Sequence, residues 1–214
     1  MRATGAALTA IVLAMATGGA SRVGAAAEHA VRAPADSLAD LPLHAVAARG
    51  AASRRLAILL TGDGGWASID KELADTLAAH GTAVVALDSR SYFRSQRDPD
   101  GAARDLERIA RRYMAQSGDD ALVLIGYSRG ADVLPFLASR LTPDLSRRVT
   151  LVALLAPAAN ANFKFHLVDL VSNKHRADDL MTVPEIAKLA GVRVLCFYGA
   201  DEKESACPAL DSTK

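Results

Sequence analysis

The sequence predicts an α/β domain, a mostly parallel sheet with helices on both faces. Continuous apolar runs at 56–60, 82–87, 121–125, 149–155 and 192–198 read as strands buried on both sides. Apolar residues at helical spacing separate the first four of these runs. Strands that alternate with helices pair in parallel through right-handed crossovers.

The elements follow in order. Arg2, an apolar stretch over 6–16 and small residues ending in an A-x-A-like site at Ala26 or Ala27, with Ala20 as an alternative, predict a secretory signal peptide over 1–27. The expected compartment is the bacterial periplasm. No other segment is long and apolar enough to cross a bilayer. Residues 28–54 read as a linker with an initial strand near 41–46, and 55–214 as the domain. After the strand at 56–60, Ser68 is the expected N-cap of a helix whose apolar face holds Ile69, Leu73, Ala74, Leu77 and Ala78, closed by Gly81. The strand at 82–87 ends in Asp88. Ala103, Leu106, Ile109, Ala110, Tyr113 and Met114 form the next helical face. A helix with Leu134, Leu137, Ala138 and Leu141 follows the strand at 121–125, and Pro135 inside it removes one backbone bond.

Composition excludes several classes. Half of the 214 residues are hydrophobic and 23% are charged, which rules out a disordered or collagenous chain. The net charge of +1 suggests no nucleic-acid partner. Arg104, Arg108, Arg111 and Arg112 are interleaved with acids and read as a solvated helix face. Cys196 and Cys207 are expected to form a disulfide in an oxidising compartment, worth roughly 2–3 kcal/mol and pinning the loop around Asp201. No histidine or third cysteine stands at ligand spacing, so neither a metal nor a cofactor is expected.

Gly126-Tyr127-Ser128-Arg129-Gly130 carries the chemistry. A G-x-S-x-G between a buried strand and a helix is the context of a nucleophile elbow, where a strained turn holds the serine hydroxyl out at the top of a sheet. The plain alternative is a glycine-bounded turn with a capping serine. An α/β-hydrolase needs an oxyanion hole, a carboxylate and a histidine besides. The backbone N–H of Arg129 is one expected oxyanion donor. Thr61-Gly62-Asp63-Gly64-Gly65-Trp66 stands where the second belongs, from Asp63 or Gly64. Asp201, just after the strand at 192–198, is the expected acid. Chain order in this fold is serine, acid, histidine, and no histidine follows Asp201 here. His29 and His44 lie in the leader and linker, and His80 ends a helix. His166 or His175 could serve as a surrogate base. The preferred expectation is a domain truncated before its last strand and its histidine.

Together, the 61–66 loop, Gly126-Tyr127-Ser128-Arg129-Gly130-Ala131-Asp132-Val133-Leu134-Pro135-Phe136 and Tyr198-Gly199-Ala200-Asp201-Glu202-Lys203-Glu204-Ser205-Ala206-Cys207-Pro208 resemble the bacterial virulence family of VirJ and the C-terminal domain of AcvB. The resemblance spans roughly residues 40–214. It implies an exported α/β-hydrolase-like domain with Ser128 as nucleophile and Asp201 as acid. It also implies an aminoacylated phospholipid substrate, because AcvB-like members hydrolyse lysyl-phosphatidylglycerol. VirJ's association with type IV secretion implies secretion-system proteins as partners. Asp63, Trp66 and Asp132 are then expected at the substrate, with the two carboxylates near a lysyl ammonium. Asp132 equally suits a helix N-terminus for dipole reasons. The alternative function is that of a non-catalytic periplasmic accessory of secretion.

Overall fold

In the computed structural model, which describes residues 37–164 and 179–211, six strands form one sheet. The expected signal peptide, the start of the linker, His29, His166 and His175 lie outside the described residues. The elements run β1 (Leu43–Val46), β2 (Arg55–Leu60), α1 (Ser68–Ala79), β3 (Ala83–Leu87), α2 (Ser89–Tyr92), α3 (Pro99–Ser117), β4 (Ala121–Tyr127) and α4 (Arg129–Ala138). Then come α5 (Pro143–Ser146), β5 (Val149–Leu155), β6 (Asn160–Ala161), β7 (Leu180–Met181), α6 (Thr182–Ala187), β8 (Arg193–Phe197) and α7 (Cys207–Asp211). The sheet order is β1-β3-β2-β4-β5-β8. Only β1 is antiparallel to its neighbour.

Alternation along the strands divides the interior. Ile58, Leu60, Leu122, Leu124 and Leu154 face the larger core, against Leu106 and Ile109 of α3 and Leu134 and Leu137 of α4. Ala57, Leu59, Ala86, Ile125 and Ala153 face the other way, with Ala74 of α1. Alanines on this face let α1 approach closely. At the far end of the same face, Leu195 and Phe197 of β8 stay exposed.

The termini of two helices differ from expectation. Ala67, not Ser68, caps α1, and the Asp70 carboxylate reaches back to accept the Ala67 N–H at 3.3 Å. A carboxylate in the first turn answers the orphan N–H groups as well as a serine hydroxyl would. Helix α3 begins at Pro99, earlier than its apolar face suggests. Asp98 caps it by accepting from the Gly101 N–H at 2.7 Å, and proline suits the first helical position. The pair β6–β7 and helix α6 have no counterpart in the sequence reading, since two-residue strands carry no periodicity.

Candidate active site

Strand β4 ends at Tyr127 and α4 begins at Arg129, so Ser128 alone makes the turn. Its φ is 51° and its ψ −122°. A non-glycine residue there costs on the order of 1–3 kcal/mol and persists only where its surroundings enforce it. They do so here. The Ser128 N–H donates to Leu155 O at 2.8 Å, and Ser128 O accepts from the N–H groups of Ala131 and Asp132 at 2.7 and 3.0 Å. The flanking glycines are a steric requirement. A Cβ on Gly130 would lie 2.1 Å from Leu60 O, and one on Gly126 would lie 2.5 Å from Gly130 O. Helix α4 can leave the sheet at this angle only if both residues lack a side chain.

The glycine-rich loop after β2 abuts this turn. A Cβ on Gly62 would lie 3.3 Å from Ser128 Cβ and 3.1 Å from the Tyr127 ring. Gly65 N–H closes a turn onto Gly62 O at 3.0 Å. The N–H groups of Asp63 and Gly64 donate to no acceptor among the described residues. Two unpaired donors beside a strained serine are what an oxyanion would use. Residues that the sequence reading did not single out hold the loop from behind. Buried Thr61 accepts the Ser89 N–H through its hydroxyl at 2.9 Å. Asp70 is 2% exposed, and burial, with the Asp88 charge nearby, raises its carboxyl above the usual range. An acid in the first turn of the helix that follows the glycine loop was its signal in the sequence.

The expected acids have other partners. The Asp63 carboxylate is ion-paired to Arg129 Nε. Asp132 accepts the Ala158 N–H at 2.6 Å, which ties α4 to the loop after β5. Burial pushes the pKa of Asp132 up to about 7, with the charges of Asp63 and Glu202 adding to it and Arg129 opposing. Neither carboxylate is thus a ready anchor for a lysyl ammonium: one is neutralised by a guanidinium, the other half protonated near neutrality. The Ala206 N–H donates to Pro157 O at 2.8 Å and the Ala159 N–H to Glu204 O at 3.2 Å, which sets the loop after β8 against the segment that Asp132 holds. Glu202 itself accepts the Gly199 N–H at 3.0 Å. Asp201 is exposed in the same loop, and its carboxylate has no hydrogen-bond partner among the described residues.

Trp66 stacks on His44 with ring centroids 5.0 Å apart and packs against the smaller core. His44 lies on β1, three strands from β4, or about 14 Å at ordinary strand spacing. His80 binds Thr76 O at 2.8 Å at the C-terminal end of α1, which points to the opposite edge of the sheet from Ser128. Neither stands beside the nucleophile. Cys196 and Cys207 are joined in a disulfide that fastens α7 to β8 around the 198–206 loop. Among the described residues no cluster of histidine, cysteine and acid could hold a metal.

A sheet of this order with a strained serine after its central strand defines the α/β-hydrolase fold. Solved structures share it. A protein assigned as a dienelactone hydrolase from Klebsiella pneumoniae subsp. pneumoniae MGH 78578 aligns with a TM-score of 0.55 and 19% identity, over 80% of this chain and 72% of its own. An alpha-beta serine hydrolase homologue from Coxiella burnetii aligns with a TM-score of 0.51 and 16% identity, over 79% of this chain and 73% of its own. A search of curated proteins finds no match. The family model of the bacterial virulence protein VirJ matches residues 54–214, and the chain belongs to that family.

Proposed function

We propose that this protein is a periplasmic serine esterase that removes lysine from an aminoacylated phospholipid at the membrane surface. The observation that carries the reading is Ser128, held at φ 51° against the glycine loop, whose N–H groups at Asp63 and Gly64 have no acceptor among the described residues. In the proposed reaction Ser128 Oγ attacks the ester carbonyl and gives its proton to a histidine. The N–H groups of Arg129 and of Asp63 or Gly64 hold the oxyanion. The lipid hydroxyl leaves with the histidine's proton, and water then frees lysine from the lysyl-enzyme. Asp201, on the exposed loop after β8, orients the histidine. The lysyl substrate, export to the periplasm and contact with secretion-system proteins rest on the family resemblance and on the N-terminal sequence pattern.

A second reading, a non-catalytic accessory of secretion, is favoured by two observations: among the described residues the carboxylate of Asp201 has no hydrogen-bond partner, and neither described histidine stands by Ser128. Lysine release from vesicles containing lysyl-phosphatidylglycerol separates the two. The esterase reading expects release that scales with protein and falls by at least about 10³-fold in Ser128→Ala. With the base supplied from within this sequence, it also expects a comparable loss in one of His166→Ala and His175→Ala. Equal release with and without the serine hydroxyl would show that Ser128 is not the nucleophile, and no release above that of protein-free vesicles supports the accessory reading.

A further inference from the structure

We infer that the Arg129 side chain is a positioning group, one that locks the two backbone donors of the oxyanion hole into a single rigid cradle through its ion pair with Asp63. The inference rests on the esterase reading of the same site. Arg129 follows Ser128 on the elbow, and Asp63, one of the two candidate donors of the glycine loop, follows Gly62, whose added Cβ would lie 3.3 Å from Ser128 Cβ. The side chains of Arg129 and Asp63 are bonded to each other, Nε to carboxylate. Arg129 is 7% exposed, and its Nη1 also donates to Asn162 O at 3.0 Å and Lys164 O at 3.4 Å. One buried cation thus spans the elbow, the glycine loop and the chain leaving β6.

The chemistry explains why an arginine stands here. The planar fork offers donors in several directions from one rigid group, so it can hold a carboxylate on one edge and carbonyls on another. A lysine ammonium on a flexible stem cannot fix the angle between two segments. The carboxylate belongs to the pair for a matching reason: a buried guanidinium without a counter-charge is strongly unfavourable. Oxyanion donors help only when they are already aimed before charge develops, so a tie between the two donor residues acts on the transition state rather than on substrate binding. The loop needs such a tie. Glycines at 62, 64 and 65 give it little stiffness of its own.

The test uses the full chain with Asp63→Asn, Asp63→Ala and Arg129→Lys. Hydrolysis of p-nitrophenyl acetate is read per site titrated with a fluorophosphonate, together with amide hydrogen exchange. The clamp predicts kcat lower by roughly 30- to 300-fold in Asp63→Ala and Arg129→Lys, with KM within about threefold, by analogy with loss of one oxyanion donor. Asp63→Asn should fall between. Amides at 62–64 should exchange at least about tenfold faster while those of β4 and β5 keep their rates. A purely structural role would lower Tm and leave kcat per titrated site unchanged. If Asp63→Ala does not fold, the other two variants carry the reading. Wild-type turnover with unchanged kcat and exchange in the variants overturns the clamp and leaves the esterase reading standing. No turnover or titration in the wild type, with exchange at 62–64 still accelerated, overturns the esterase reading and leaves the tie itself in place. Absent turnover together with unchanged exchange overturns both.

Discussion

Ser128 trades stability for reactivity. Its positive φ is a conformation that glycine adopts freely, so Ser128→Gly should raise the unfolding free energy by about 1 kcal/mol, read in urea melts, while abolishing hydrolysis. An unchanged or lower stability would mean that the turn is not strained. Asp132 gives a second test at this scale. Its carboxyl binds a proton more tightly in the folded chain than in the unfolded one, with a pKa of about 7 against an ordinary value of about 3.9. Its contribution to stability is therefore full below about pH 4 and is lost as the pH rises towards 7. Asp132→Asn keeps an acceptor for the Ala158 N–H and removes the charge. It should stabilise the protein above pH 7 by as much as about 4 kcal/mol and leave it nearly unchanged at pH 4. Urea melts at the two pH values check this.

At the scale of elements, α4 is the hub. Its start presents the serine, its Gly130 touches β2, and its end is tied to α6 by Glu185. That carboxylate is 5% exposed. Burial alone would raise its pKa, but hydrogen bonds from Lys188, Ser139 and Arg140 outweigh this and hold it below the ordinary value. Its stabilisation is present above that ordinary value and is lost as the pH falls through the lowered one. Glu185→Ala leaves the Arg140 guanidinium without this partner and should cost about 2–3 kcal/mol at pH 7, measured as a shift in the urea midpoint. Gly130→Ala should cost about as much or more, because its Cβ would meet the Leu60 carbonyl with no flexible group to yield. Much of this level was legible in the sequence. The β4–Ser128–α4 unit and the glycine loop show as an apolar run, a glycine-bounded serine and a helical face. Helix α6 and the Glu185 network were not legible, because they depend on which distant residues meet in space.

Across the whole molecule, the alternation of strands and helices predicted the parallel sheet, and the structure adds its order and the antiparallel edge strand β1. The partner choices at the site were beyond the sequence. Asp63 and Asp132 read equally well as ligands for an ammonium, and only the fold brings Arg129 onto one and the Ala158 N–H onto the other. The disulfide acts at this scale as well. It closes a short loop between β8 and α7, so reduction should lower stability by about 2–3 kcal/mol, seen as a lower Tm with dithiothreitol, and should loosen the loop that carries Asp201. A Tm indifferent to reductant would show that the cross-link adds nothing to the fold.

The central claim is that Ser128 is a nucleophile, and the most direct measurement is the site of phosphonylation. The protein is incubated with a fluorophosphonate, digested, and its peptides are sequenced by mass spectrometry. The account predicts one adduct per chain, on Ser128, with fluoride released and no adduct in Ser128→Ala. An adduct on another residue, or none on Ser128 in the folded protein, would contradict it.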